Sequence, residues 1–227
     1  MESDRTILHC RLAGASAITG VLMIGTSFGI NTGPPLGASD AQMIAFAASH
    51  FRQVMIGSWL QAVGPFLIMA FAITLVRIAG AMNRISGWLV LLGASILMMV
   101  SLAEVIFYIC ALDAVPPSMG QIGNNIGHAI QHLYFIIAAP AVFFPLGAVL
   151  FRAKILPRIF STLAFILGGG FFLIGIRSLT QPILSNAETS FAAIQALWWM
   201  AAAIALIARA RRIAEVELTQ QQSLLQR

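Results

Sequence analysis

The sequence predicts an all-α membrane protein, a polytopic helical bundle of six transmembrane helices with a short amphipathic outer-surface helix before helix 2. Of its 227 residues, 59% are hydrophobic and only 9% are charged, whereas a soluble domain carries about 25% charged residues. The basic residues also lie between the long apolar segments or near their ends. So few charges cannot cover a soluble globule, and a lipid bilayer is the expected partner of the chain.

The six predicted spans are uninterrupted apolar segments at about residues 12–30, 53–78, 87–112, 125–151, 159–181 and 191–209. Each is close to or longer than the roughly 20 residues that a helix needs to cross a bilayer. Inside lipid every backbone N–H and C=O must be paired within the protein, so such a run forms a helix. We therefore predict a single transmembrane domain over residues 1–227, with residues 210–227 as a cytoplasmic tail that continues the last helix and then frays.

The segment before the second span carries the signals of a further helix. Ser39 stands three residues before Gln42, which is the spacing of a capping box at a helix N-terminus. Apolar residues then follow at helical spacing, namely Met43, Ile44, Phe46, Ala47 and Phe51. This pattern predicts an amphipathic helix that lies on the outer membrane face and leads into the second span.

The Lys and Arg residues predict the orientation of the bundle. If six helices alternate in direction, two of the thirteen basic residues, Arg52 and Arg177, fall near one side. The other eleven flank the opposite side: Arg5, Arg11, Arg77, Arg84, Arg152, Lys154, Arg158, Arg209, Arg211, Arg212 and Arg227. Because cytoplasmic loops are rich in Lys and Arg, we expect a multi-pass inner-membrane protein with both termini in the cytoplasm. These residues form no basic stripe or stacking platform, which argues against nucleic acid as a partner.

Polar residues inside the spans collect in the predicted periplasmic half of the bilayer. Glu104 lies about eight residues from the outer end of the third span, hence roughly 12 Å deep at 1.5 Å per residue. Such residues are costly in lipid and usually face the bundle interior. We therefore predict a polar pocket that opens to the periplasm and is lined by Gln61, Glu104, Tyr108, His128, His132 and Arg177.

Helical phase predicts which of these side chains meet. Ser101, Glu104 and Tyr108 share one stripe of the third span, and His128 and His132 are four residues apart on the fourth. The two spans are antiparallel and joined by a short loop, so we expect them to be neighbours. Glu104 should then lie near His132, and Tyr108 near His128.

The pocket residues are compatible with three functions. The leading interpretation is a binding or transport protein for a small molecule, a lipid or an ion, with a carboxylate–histidine pair at its centre. In the second, the protein is an accessory or structural subunit in which Glu104 pairs with Arg177 or His132 and the polar groups hold helices together. The spans show no phosphate-binding loop, dinucleotide fingerprint or nucleophile elbow.

The third interpretation is a metal-dependent intramembrane enzyme with His128, His132 and Glu104 as ligands. Two histidines four residues apart with a carboxylate suit Zn²⁺, and imidazole also suits other divalent transition metals. The glutamate of a zinc-protease H-E-x-x-H motif is absent, since Ala129, Ile130 and Gln131 separate the histidines. Haem fits less well, because the chain has no C-x-x-C-H motif and no histidine pair that clearly faces across the bundle.

Short motifs across the chain resemble a family of six-span bacterial inner-membrane proteins that carries only a domain-of-unknown-function label. They are the FRQVMIGSWLQ entry to the second span, the R-x-x-G entry to the first (Arg11 to Gly14) and an F-R-x-x-x-L-P-R turn. That turn consists of Phe151, Arg152, Leu156, Pro157 and Arg158. The resemblance covers nearly the whole chain and implies a fold and a membrane, but no activity, cofactor or substrate.

Overall fold

The computed structural model describes residues 2–31, 38–112, 122, 126, 129–130, 132–178 and 185–225. Its main elements are α1 (Glu2–Ile30), α2 (Asp40–Ile78), α3 (Ile85–Leu112), α4 (Ala139–Ala153), α5 (Arg158–Ser178) and α6 (Ser185–Leu225). A π-helical turn, Tyr134–Ala138, leads directly into α4. The described residues contain no strand, and the prediction of an all-α bundle is confirmed.

Six of the described helical segments are long and apolar enough to cross a membrane: Asp4–Ile30, Asp40–Ile78, Ile85–Cys110, Tyr134–Ala153, Arg158–Ser178 and Ser190–Val216. Large apolar side chains cover their outer faces; Ile85 is 79% exposed, Met99 70% and Leu197 69%. A soluble monomer does not expose apolar surface on this scale, whereas a bilayer covers it. The chain is therefore a multi-pass membrane protein in contact with lipid.

The capping box before α2 is present, but the separate surface helix is not. Gln42 donates its backbone N–H to Ser39 Oγ at 3.4 Å, and Ser39 donates its own to Gln42 Oε1 at 2.8 Å. The helix that begins there runs for 39 residues without a break: no Gly or Pro occurs before Gly57, and the helix continues past Gly57, Gly64 and Pro65. At 1.5 Å per residue α2 is roughly 58 Å long, about twice the hydrocarbon thickness of a bilayer. The predicted amphipathic segment forms the first turns of α2.

The helices pack in chain order, and α6 closes on α1. Thus α1 lies between α2 and α6, α3 packs on α2, on the π turn and on α4, and α5 packs on α4, on the π turn and on α6. Two glycines allow α1 and α2 to approach closely, since a methyl group at Gly20 or Gly64 would meet the backbone oxygen of the other. Small residues at such crossings are typical of helix packing in membranes.

Aromatic side chains fill the middle of the bundle. Phe71, Phe143 and Phe171 are fully buried, and Trp199 is 2% exposed. The ring centres of Phe143 and Trp199 lie 5.4 Å apart, and those of Phe71 and Trp199 lie 6.0 Å apart, within the range of favourable aromatic pairs. The described part of the bundle is therefore packed at its middle. We refer to these four residues as the aromatic core.

The π turn before α4 has a local cause in Pro140. Proline has no N–H to donate to the carbonyl of Ile136, and its ring would clash with that carbonyl in a regular α-helix. A wider turn at Tyr134–Ala138 accommodates this residue, as π-helical turns often do at irregular positions. Pro65 and Pro145 lie inside α2 and α4, which continue past them.

The two ends of the bundle differ in chemistry. The basic end is where α1 begins and where α2 and α4 end, and it carries Arg77, Arg152 and Lys154. The opposite end, where α1 ends and α2 begins, carries the polar residues of the spans. The packed aromatic core lies between the two ends.

Candidate functional site

Five polar side chains join α1, α2 and α3 in the half of the bundle away from the basic end. They are Ser27 on α1, Asn31 directly after α1, Gln61 on α2, and Ser101 and Glu104 on α3. We refer to them as the polar cluster. Because these three helices are neighbours, a polar side chain on α2 that faces inward can bond to both of the others.

Gln61 is the centre of the polar cluster. Its side chain is 3% exposed, and its Nε2 donates a hydrogen bond to Glu104 Oε2 at 2.7 Å. Its Oε1 accepts from Ser27 Oγ at 3.3 Å and from Asn31 Nδ2 at 3.4 Å. Its backbone oxygen accepts from Ser101 Oγ at 3.0 Å. One residue on α2 is thus bonded to both neighbouring helices.

Asn31 occupies a space that a glycine provides. A methyl group at Gly57 would overlap the Asn31 side chain, so only glycine at this position leaves room for it. The end of α1 is also tied to α2 by Gln53, whose Nε2 donates to the Ile30 carbonyl at 2.8 Å. Asn31 Oδ1 is buried and accepts no hydrogen bond in the described structure. A buried acceptor of this kind normally has a partner, which can be water or an ion.

Two tyrosines lie within electrostatic range of Glu104: Tyr108, one turn further along α3, and Tyr134, in the π turn. Tyr134 in turn donates a hydrogen bond to Gln195 Oε1 on α6 at 2.5 Å. The surroundings of the carboxyl group thus include residues from α2, from α3 and from the π turn.

The structure brings some of the predicted pocket residues together. Gln61 and Glu104 are hydrogen-bonded, and Tyr108 is within electrostatic range of Glu104. His132 is half-buried and lies two residues before the π turn, which packs on α3. Arg177 is exposed in the last turn of α5, whose packing partners are α4, the π turn and α6. His128 lies outside the described residues.

Three residues of this site were not predicted from the sequence: Ser27, Asn31 and Tyr134. Ser27 and Asn31 are four residues apart at the end of the first span, so they share a helix face, and that spacing was the available signal. The role of Tyr134 depends on the π turn, which changes the phase of the helix before α4. The regular helical spacing of the sequence gives no indication of that change.

The predicted metal ligands are only partly described. Among the residues that the structure describes, no group of three or more His, Cys, Asp and Glu side chains could hold a metal ion. The predicted set of His128, His132 and Glu104 includes a residue outside that part of the chain, so this set stays a prediction.

Comparisons of the chain with protein-family models, with curated proteins and with solved structures find no match. The resemblance to a six-span family stays a prediction.

Proposed function

We propose that this protein binds a small cation, either a metal ion or a protonated amine, at the polar cluster, with Glu104 as the ionisable centre. The observation that carries the proposal is the hydrogen bond from buried Gln61 to the Glu104 carboxylate at 2.7 Å, inside a membrane-spanning helix. An ionisable group at such a depth is costly, and in membrane proteins it commonly marks a binding site or an ion pathway. We further propose an inner-membrane location, with this site on the periplasmic side.

The atoms of the cluster favour a positively charged ligand. Glu104 supplies carboxylate oxygens, and Asn31 Oδ1 is a buried carbonyl oxygen that accepts no hydrogen bond in the described structure. Ser27 and Gln61 place further oxygens beside Asn31, at 3.4 Å from its Nδ2. Oxygen atoms of carboxylate and amide groups are the usual ligands of hard cations and the usual acceptors for ammonium groups.

The aromatic core supports binding in preference to an open channel. Trp199 packs against both Phe71 and Phe143 at the middle of the bundle. A solute that crossed the middle of the bundle between these helices would have to separate these rings. Transport would therefore need a change in helix packing, of the kind that transporters use for alternating access.

Two other functions remain as competing outcomes. An accessory role has specific support, because Gln61 bonds to both neighbouring helices and such bonds stabilise helix packing in membranes. A metal-dependent enzyme would use His128, His132 and Glu104, and it predicts that His132→Ala removes bound Zn²⁺.

The test measures the melting temperature of the full-length protein in neutral detergent with Na⁺, K⁺, Mg²⁺, Zn²⁺ or methylammonium. A cation that binds only the folded state at 100 times its Kd should raise the melting temperature by about 5–10 °C. We expect this for at least one cation, and we expect Glu104→Gln to abolish the shift. The substitution keeps a carbonyl oxygen for Gln61 to bond, so the fold should persist.

The matched control is Glu215→Gln, which removes an exposed carboxylate from α6 at the basic end. It should leave the cation shift unchanged. If no cation stabilises the wild type more than Glu104→Gln, the binding proposal is wrong and the cluster serves only to pack helices. A Zn²⁺ shift that disappears in His132→Ala would instead favour the metal enzyme.

A further inference from the structure

A cleft of about 1170 Å³ opens at the basic end of the bundle, far from the polar cluster. It is larger than the roughly 300–1,000 Å³ of common small-molecule pockets. Six Lys and Arg residues line it: Arg5, Arg77, Arg84, Lys154, Arg209 and Arg212. They come from α1, from the end of α2, from the turn before α3, from the end of α4 and from α6. We refer to this space as the basic cleft.

The positive charge of the basic cleft is not balanced within its walls. No Asp or Glu belongs to the described residues that line it. Asp4 and Glu215 lie on nearby turns of α1 and α6 and are not part of this lining. Cations that share a cleft with low-dielectric walls raise the local concentration of anions. The charge pattern therefore indicates an anionic ligand.

The remaining walls are largely apolar. Leu12 and Val216 are 59% and 52% exposed, and Ile78 and Ile213 also line the space. Two inner hydroxyl groups are already engaged, since Ser16 donates to the Leu67 carbonyl and Thr74 to the Ala70 carbonyl, each at 2.8 Å. A free inorganic anion would gain nothing from these apolar walls. An anionic headgroup with hydrocarbon chains would use both the cations and the walls.

Lys154 holds an uncommon backbone conformation at the edge of the cleft. Its φ is 55° and its ψ is 20°, the left-handed region that ends many helices and favours glycine. It is the sole residue other than glycine with positive φ in the described part of the chain. The chain thus carries a cation at a position where glycine would fit the backbone better.

From this geometry we propose that the basic cleft binds an anionic phospholipid. The phosphate lies among the six cations, and the acyl chains run along the apolar wall toward the bilayer. Basic pockets between transmembrane helices are suited to such headgroups. This site is separate from the polar cluster, and the inference does not depend on cation binding at Glu104.

Membrane orientation alone also explains an excess of basic residues at one end. The chain offers a control for that explanation, because Arg152 and Arg158 lie at the same end, are exposed and do not line the cleft. They contribute to orientation as the cleft residues do. A difference in lipid binding between variants of the cleft residues and variants of Arg152 and Arg158 therefore reports on the cleft.

The experiment measures lipid binding to the full-length protein in neutral detergent by native mass spectrometry. Phosphatidylglycerol and phosphatidylcholine are titrated against wild type, against Arg77→Gln with Arg212→Gln, and against Arg152→Gln with Arg158→Gln. Each cation near a membrane surface contributes about fivefold to the affinity for anionic lipid, so the cleft pair should weaken phosphatidylglycerol binding about 30-fold. The control pair should change it less than threefold, and phosphatidylcholine should bind weakly to all three.

A second variant distinguishes a loss of lipid binding from a folding defect. Lys154→Gly removes a cation but suits the backbone, so it should melt no lower than wild type and still bind phosphatidylglycerol about fivefold more weakly. Equal losses in the cleft and control pairs would overturn the proposal, as would equal binding of the two lipids. Glycerol 3-phosphate that binds as tightly as phosphatidylglycerol would overturn it too, and would assign the cleft to a soluble anion.

Discussion

At the scale of single residues, Gln61 and Glu104 could be predicted from the sequence, whereas Ser27 and Asn31 left only the weak signal of their four-residue spacing. An amide and a carboxylate inside long apolar runs are conspicuous because lipid penalises them. Polar residues at the end of a span are ordinary, so composition does not single out Asn31. Its role depends on the absence of a side chain at Gly57, which becomes apparent only when α1 and α2 are placed together.

Gly57→Ala should destabilise the protein, because its methyl group would displace Asn31 from the polar cluster. Overpacking of this kind costs about 1–3 kcal/mol of the free energy of unfolding. Gly25→Ala is the matched control, since nothing lies within 4 Å of a methyl group added there. The control should be neutral or stabilising by up to about 1 kcal/mol. Unfolding in mixed detergent micelles, followed by circular dichroism, measures the free energy of unfolding of both variants. Equal free energies for Gly57→Ala and Gly25→Ala would contradict the packing of Asn31 on Gly57.

At the scale of elements, the sequence predicts where helices occur better than where they end. Residues 40–52 have the apolar spacing of a surface helix, but the same spacing fits the first turns of a longer one. The lack of Gly and Pro before Gly57 lets α2 continue. The π turn was similarly hidden, since hydrophobic periodicity cannot show that Pro140 shifts the hydrogen-bond register of the preceding turn.

Tyr134→Phe should weaken the contact between the π turn and α6. It removes the hydrogen bond to Gln195 and leaves the ring in contact with Phe135 and Phe171. Hydrogen bonds between helices in membranes contribute about 0.6 kcal/mol on average and up to about 1.7 kcal/mol. We therefore expect the free energy of unfolding to fall by an amount in that range. Ser95→Ala, which removes an exposed bond within α3, is the control. A Tyr134→Phe variant as stable as the control would contradict a structural role for this bond.

At the scale of the whole molecule, the number of spans follows from apolar length, but the order of packing does not. Side chains that face lipid and side chains that face another helix are both apolar, so hydropathy cannot separate them. The contact of α6 with α1 and the aromatic core at the middle therefore had no clear signal. In the sequence, Trp198 and Trp199 fit either bilayer anchors or packing residues, and in the structure both are buried.

The orientation of the molecule is a separate prediction. Lys and Arg are concentrated at the basic end, so we expect this end and both termini to face the cytoplasm. A fluorescent protein that folds only in the cytoplasm should be bright when fused after Arg227. Alkaline phosphatase, which is active only in the periplasm, should be active when inserted after Pro35. The reverse pattern would place the polar cluster on the cytoplasmic side.

Cation binding at Glu104 is tested most directly by carbodiimide labelling of the purified protein, with the modified residue identified by mass spectrometry. Carbodiimides react with carboxyl groups in apolar surroundings, and a bound cation should block the reaction. We predict that Glu104 is labelled and that the cation with the largest melting-temperature shift slows its labelling at least tenfold. Labelling of exposed Glu215 should not respond to that cation. If Glu104 is labelled at the same rate with and without each cation tested, none of these cations binds at its carboxylate.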